Sequence, residues 1–295
     1  MSLLKKGDTI GLIAPSSGLG NVELVKLLAA LEKAELKVVV ADNVNDKFRY
    51  MAGSDTARAK AFNKMVKNPK VKALLCLRGG AGSTRMLDLV DFNLLKANPK
   101  PIIGLSDSTA LQNAAFTLSK NISLSGFLAM YDYKMGKIDS VMLNELTNVL
   151  FNKKHLIHSG KCLRSGTAEG KLVGGCLSVF NLLCGTRYFP DLSNKILLLE
   201  DVGEKTYKID LMMTQLRQQK GFSKLRGIVF GNFSNCIIKD PDDGTINDCI
   251  NDMIKDLNIP VISDFGYGHI AQRHILPLGA RVKIVASSAD CSIKW

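Results

Sequence analysis

Apolar residues in the first third of the chain recur with two alternating spacings. TIGLIAPSSG (residues 9–18) is a short apolar run that ends in a turn of small residues, and it predicts a buried strand. From residue 22 to residue 35, apolar side chains fall at Val22, Val25, Leu28, Ala29 and Leu31, with Leu36 just beyond, which is the spacing of one helix face. KVVVA (residues 37–41) predicts a second strand. Gly53-Ser54 opens a helix over residues 55–67, which Asn68-Pro69 closes. Residues 73–77 predict a third strand, running into the loop RGGAGS (residues 78–83) and a helix through Val90. Ile102, Ile103 and Leu105 end a fourth strand, and residues 108–119 form the helix after it. Strand and helix alternating in this way give a parallel sheet with right-handed crossovers, whose ligands bind beyond the carboxyl ends of the strands. The turns RGGAGS and GLSDS both fall at that edge.

Beyond residue 135 the regularity lapses. An amphipathic helix over residues 138–151 and the polar stretch KKHLIHSGK read as a connector, residues 136–164. Then follow a strand (167–173), an apolar helix bounded by glycine (GGCLSVFNLLCG, 174–185) and a strand (195–199) that ends in Glu200-Asp201. A helix (207–219), a strand (227–231), a helix (245–257) and a strand (260–263) come next. The loop DFGYGHIAQRH leads to two closing strands, 280–286 and 291–295. The pattern predicts one α/β domain over residues 1–135 and a second over residues 165–295.

Composition narrows the class. A chain of 295 residues, 46% hydrophobic and 22% charged, is a globular protein with enough length for two cores. Its 39 basic and 27 acidic side chains give a net charge of +12. No nucleic-acid recognition motif accompanies that charge, and aromatic residues make up only 6%, so no nucleic-acid partner is expected. Lys60, Lys64, Lys67, Lys70 and Lys72 read as a solvated helix face, and a weaker reading of the charge is the steering of an anionic small substrate. Seven cysteines with no C-x-x-C pair read as buried thiols in a reducing compartment. The N-terminal stretch lacks a signal peptide's apolar region. The longest uncharged run, residues 172–186, is too short to span a bilayer. A cytoplasmic protein without a membrane partner is expected. No cluster of His, Cys and carboxylates has metal-ligand spacing, so neither metal nor cofactor is expected.

Three stretches can carry chemistry. In PIIGLSDSTAL, Ser106 stands on the turn from strand to helix, the placement of a nucleophile elbow, with Gly104 and Ser108 as the small residues two places either side. The Asp107 N–H would sit at the helix's positive end. Ser106 or Ser108 is equally placed to be an ordinary helix cap. RGGAGS lies between strand and helix, where its N–H groups can cradle a phosphate or an oxyanion. It nearly matches G-x-G-x-x-G, but Arg85 takes the third glycine's place. In ILLLEDVGE, Glu200 and Asp201 stand where an apolar strand gives out. His269 lies in a glycine-rich loop after a later strand, while His155, His158 and His274 lie elsewhere. Ser106, Glu200 and His269 are compatible with a catalytic triad, although order along the chain proves nothing, since unrelated folds use different orders. A non-enzymatic reading stays open, in which RGGAGS is the anion site of a phosphosugar- or nucleotide-binding protein.

GDTIGLIAPSS, RGGAGSTRML, GLSDSTAL, GGCLSVFNLLCGT with KILLLEDVGE, and GHIAQRHILPLGARV follow one another along nearly the whole chain. Together they resemble the LD-carboxypeptidases, a family of serine peptidases. The resemblance implies an α/β fold with an N-terminal flavodoxin-like parallel-sheet domain plus a C-terminal swivelling β/α domain, a homodimer, and no metal. It implies a triad of Ser106, Glu200 and His269, and an oxyanion hole from the backbone N–H groups of Asp107 and Gly80. Since Ser106 falls in one half and its partners in the other, the active site is expected in the cleft between the domains. The activity implied is release of the terminal D-alanine of a murein tetrapeptide, at an L,D bond, in cell-wall recycling. A second branch resembles microcin self-immunity peptidases, which cleave peptide-nucleotide conjugates and tend to stack the base on a tryptophan. The one tryptophan here is Trp295, which favours murein peptides. Ala81 stands where the family usually has an aromatic, and Arg273 where asparagine is frequent; both bear on the substrate rather than the triad. Arg78, Arg85 and Arg273 are the candidates for a two-pronged contact with the substrate's terminal carboxylate.

Overall fold

The computed structural model describes residues 3–18, 24–134, 137–152, 154–238 and 240–295. One unit comprises Met1–Lys153 and His274–Leu278; the other comprises Lys154–Arg273 and Gly279–Trp295.

The sheet of the first unit has five parallel strands: β1 (Thr9–Ile13), β2 (Lys37–Val40), β3 (Val71–Cys76), β4 (Ile102–Gly104) and β5 (Ser123–Ser125). The short strand Leu276–Leu278 pairs antiparallel with β5 at one edge. The spatial order β2-β1-β3-β4-β5 is the flavodoxin-like one. In that order the connections diverge between β1 and β3, and ligands bind at the crevice this leaves at the carboxyl ends. Around the sheet lie α1 (Leu24–Lys33), α2 (Asp55–Lys67), α3 (Phe92–Ala97) and α4 (Ser108–Ser119). A small hairpin, β6 (Tyr133–Lys134) and β7 (Lys137–Ile138), precedes α5 (Ser140–Phe151).

The sequence explains these elements locally. β3, VKALLC, is buried at every position but one, as a parallel strand covered on both faces should be. Helix α2 starts where Ser54 Oγ accepts the Ala57 N–H. It buries Ala59, Phe62, Met65 and Val66 and leaves Lys60, Lys64 and Lys67 exposed, so that lysine cluster is a solvated face. Helix α4 is buried almost all round, and Gln112 Nε2 ties it to the Ile102 (3.1 Å) and Leu124 (3.0 Å) carbonyls of β4 and β5. The helix expected over 22–35 runs over Leu24–Lys33, with Val22 outside the described residues. The helix expected after RGGAGS is a 3-10 stretch, Ser83–Leu89, followed by a separate α3.

The second unit is built on an eight-stranded mixed sheet. Its strands are β8 (Leu156–His158), β9 (Lys161–Arg164), β10 (Gly166–Cys176), β11 (Lys195–Val202), β12 (Gly227–Ser234), β13 (Val261–Ser263), β15 (Arg281–Ala286) and β16 (Cys291–Lys294). Here β14 denotes the Leu276–Leu278 strand of the first unit. The order is β8-β16-β15-β10-β11-β12-β13-β9, with β10 to β13 parallel and the flanking strands antiparallel. Its helices are α6 (Leu177–Asn181), α7 (Thr206–Arg217) and α8 (Ile246–Ile254).

GGCLSVFNLLCG is not one helix: its first three residues complete the long strand β10, and only Leu177–Asn181 is helical. The stretch expected to connect the halves is divided, with α5 in the first unit and β8 and β9 in the sheet of the second. All seven cysteines are unbridged. No helix among the described residues is long and apolar enough to cross a membrane.

Candidate active site

Ser106 stands on the turn between β4 and α4 at φ +64°. Positive φ is uncommon outside glycine, and here it marks the sharp strand-to-helix turn that lifts a side chain above the sheet edge. The chain can double back because Gly104 has no side chain: a Cβ there would lie 2.2 Å from Ser108 Oγ. Neither serine caps the helix. Ser108 Oγ donates to the Leu105 carbonyl (2.9 Å), and the N-cap position is held by Asp107, whose side chain makes no capping bond. Ser106 remains half-buried at the mouth of the turn.

The neighbouring loops are tied to this turn. Asp107 is 3% exposed. Its carboxylate accepts hydrogen bonds from Ser16 Oγ (2.5 Å) and the Ser83 N–H (2.8 Å), and its carbonyl accepts Ser83 Oγ (2.5 Å). Burial pushes the carboxyl up from its ordinary range, and those hydrogen bonds oppose the shift. In RGGAGS, Gly80 sits at φ +101°, and a Cβ on it would lie 2.2 Å from Ser17 Oγ. A Cβ on Gly79 would lie 3.1 Å from Ser106 Oγ, so this backbone passes directly beside the serine. The Asp107 N–H has no acceptor among the described residues, as befits the first turn of a helix.

The three candidate arginines are placed differently. Arg78 is exposed and helps line a cavity of about 530 Å³ with Ser17, Asp46, Arg49 and Tyr50. Arg85 is instead engaged in a two-pronged contact with Asp55, through Nε (3.1 Å) and Nη2 (2.8 Å). Arg273 is buried, and its Nη1 donates to the carbonyls of Ile270 (2.9 Å) and Ala271 (3.4 Å), bracing the loop that carries His269. No motif singles out Arg58, yet its buried guanidinium donates to the Pro15 (2.5 Å) and Gly82 (2.7 Å) carbonyls. Its one signal in the sequence is a charge on the apolar stripe of α2, in line with Phe62 and Met65.

In the second unit, Glu200 is near the carboxyl end of β11 and is wholly buried. Its Oε2 accepts both the backbone N–H of His269 (3.1 Å) and a hydrogen bond from His269 Nδ1 (2.8 Å). The His269 ring is 9% exposed. The loop reaches Glu200 because it is hooked to β12: Phe265 N–H donates to the Phe230 carbonyl (3.0 Å) and Asn232 N–H to the Tyr267 carbonyl (2.9 Å). Gly268 then crosses over the carboxylate, where a Cβ would lie 2.6 Å from Oε2. Asp201, one residue on, faces other partners, accepting Ser178 N–H (2.8 Å) and Ser178 Oγ (3.1 Å). Among the described residues no group of three or more His, Cys, Asp or Glu side chains is disposed to hold a metal.

Comparison with known proteins covers both halves. The family model described as the LD-carboxypeptidase N-terminal domain matches residues 10–126, which include Ser106, Asp107 and Gly80. The LD-carboxypeptidase C-terminal domain matches residues 169–284, which include Glu200 and His269. The "Probable murein peptide carboxypeptidase" of Bacillus subtilis (strain 168) is 30% identical over 284 residues, covering 94% of this chain and 89% of the relative. The crystal structure of muramoyltetrapeptide carboxypeptidase from Oxalobacter formigenes matches with a TM-score of 0.89 at 27% identity, over 97% of this chain and 98% of that one. An MccF-like protein from Bacillus anthracis str. Ames matches with a TM-score of 0.88 at 28% identity, over 99% and 97%. Matched in both halves and along nearly all its length, the chain belongs to the LD-carboxypeptidase family of serine peptidases.

Proposed function

We propose that this serine carboxypeptidase removes the terminal D-alanine of murein tetrapeptide, with Ser106 as nucleophile, His269 as base and Glu200 as the group that holds the imidazole. The observation that carries the reading is the Glu200–His269 pair, a wholly buried carboxylate taking both Nδ1 and the backbone N–H of one histidine. An ionised carboxylate only accepts hydrogen bonds, so Nδ1 carries the hydrogen and Nε2 of the neutral ring presents its lone pair. That is the tautomer a base requires.

In the first step Ser106 Oγ attacks the carbonyl carbon of the L,D amide while His269 Nε2 takes the serine proton. The developing oxyanion meets the N–H groups of Asp107, at the positive end of α4, and of Gly80. Collapse breaks the C–N bond, and the imidazolium returns its proton to the departing amine of D-alanine. Water, deprotonated by the same histidine, then cleaves the acyl-serine ester. The mechanism requires Ser106 Oγ and His269 Nε2 to come within about 2.6–3.2 Å in the working enzyme. Arg78, exposed on its cavity, is our choice for the substrate's terminal carboxylate.

Murein peptide is favoured over a nucleotide conjugate on two grounds. Two of the relatives named above are murein peptidases by name. The one tryptophan, Trp295, is itself stacked on His155, with ring centroids 4.8 Å apart. The unbridged cysteines suit a reducing cytoplasm, and our reading extends to a homodimer that works in cell-wall recycling. The decisive experiment is incubation with murein tetrapeptide and mass analysis of the product. Wild type should release one alanine, and Ser106→Ala should release none. Turnover by Ser106→Ala, or its abolition in wild type by a chelator, would end this reading.

A further inference from the structure

Two buried charges in the first unit take no part in the proton transfers of hydrolysis, yet both hold the loop beside Ser106. The peptide unit between Gly82 and Ser83 is gripped on both sides. Its carbonyl accepts Arg58 Nη1 (2.7 Å), and its N–H donates to the Asp107 carboxylate (2.8 Å). The same two side chains hold the loop after β1: Arg58 Nη1 donates to the Pro15 carbonyl (2.5 Å), and Ser16 Oγ to Asp107 Oδ2 (2.5 Å). Asp55 accepts from the other terminal nitrogen of Arg58. Arg58 is 1% exposed and Asp107 3%. Burying a guanidinium and a carboxylate is costly, and apolar side chains could fill the same space without that penalty.

The loop they grip has little stiffness of its own. Gly79, Gly80 and Gly82 fall within four residues, and glycine restricts the backbone least. An oxyanion donor is effective only when it stands about 2.7–3.1 Å from the oxygen of the transition state. Order in such a loop must therefore come from outside it. We propose that Arg58 and Asp107 are positioning residues, a buried clamp on the 82–83 peptide that sets where the Gly80 N–H stands relative to Ser106. Asp107 then serves twice, its carboxylate locating one donor and its own N–H being the other. The inference rests on the reading of Ser106 as nucleophile.

The test combines hydrolysis of murein tetrapeptide with hydrogen exchange over residues 78–86, measured on Arg58→Met, Asp107→Ala, Asp107→Asn and Ser16→Ala. In Arg58→Met and Asp107→Ala, kcat should fall by about 10²–10³-fold, the scale of losing one oxyanion donor. KM should move less than threefold or so, because a displaced donor weakens the transition state more than ground-state binding. Exchange over 78–86 should quicken in both. Asp107→Asn keeps an acceptor oxygen and should recover at least about tenfold of the loss. Ser16→Ala removes a single hydroxyl, so it decides the matter even where the larger changes fail to fold; its kcat should fall by about three- to tenfold, with faster exchange over 78–86. Wild-type kcat in the folded variants would overturn the clamp, and so would a fall in kcat with exchange unchanged. Should Ser106→Ala hydrolyse the peptide as fast as wild type, it is the nucleophile assignment that falls, while exchange still reports whether the clamp holds its loop.

Discussion

In the proposed mechanism, a serine at φ +64° and a histidine whose Nδ1 is held by a buried carboxylate work as one unit. Ser106→Ala and His269→Ala should each lower kcat on the order of 10⁶-fold, and the double variant hardly further, because removing either disables the same step. Glu200→Gln should cost less, since it keeps the shape and loses the charge. Steady-state kinetics on the four proteins checks both statements. Arg78→Ala should raise KM by about tenfold or more with little change in kcat, and should leave Ser106 as reactive toward a fluorophosphonate as in wild type. The placing of Ser106 and Glu200 near strand ends and of His269 in a glycine-rich loop was legible in sequence, because apolar runs give out ahead of each. The contacts of the arginines were not. What a guanidinium meets is decided by residues far along the chain, as Arg85 meets Asp55, and by loop closure, as Arg273 meets the carbonyls just before it. Arg58 was hidden for the opposite reason, being one charge inside an otherwise ordinary amphipathic helix.

Elements with a clear period and a stop signal were read nearly to their ends. The helix expected over 55–67 is α2 itself, with Ser54 and Asn68 as its caps. Uninterrupted apolar runs carry no period, so the division of GGCLSVFNLLCG between β10 and α6 left no trace in the pattern. β14 leaves no strand signal because Pro277 argues against a strand, and an edge strand is among the few places in a sheet that tolerate proline. The start of α2 also carries a pH dependence. The Asp55 carboxyl is held below the ordinary carboxylate range, first by its hydrogen bond with Arg85 and, against some desolvation, by the charges of Arg58 and Arg85. A depressed carboxyl stabilises the folded state above its ordinary value of 3.8 and loses that contribution as pH falls through the folded value. Asp55→Asn should therefore be less stable at pH 7, by about 1–2 kcal/mol, given one buried and one exposed arginine partner. The gap should narrow as the pH falls toward 3. Thermal melts of both proteins at pH 7, 5 and 3 check it; a gap that does not change with pH would contradict the assignment.

Across the whole molecule, the chain leaves the first unit at Lys153 and returns to it for five residues, His274–Leu278, before finishing the second. The N-terminal sheet is thus incomplete without a strand from near the other end of the sequence. A fragment of residues 1–153 should self-associate through the unpaired edge of β5, and the same fragment joined by a short linker to residues 274–278 should be monomeric. Light scattering on the two distinguishes them, and a monodisperse 1–153 fragment would count against the idea. The arrangement also sets a timetable for the newborn chain. Leu278 is synthesised 125 residues after Lys153. At about 5–20 residues per second, the first unit, otherwise synthesised, waits roughly 6–25 s on the ribosome with the edge of β5 open. Slow codons between these points would prolong the stage at which the nascent protein is most exposed to misassembly, and a chaperone that shields strand edges would be needed then rather than after release.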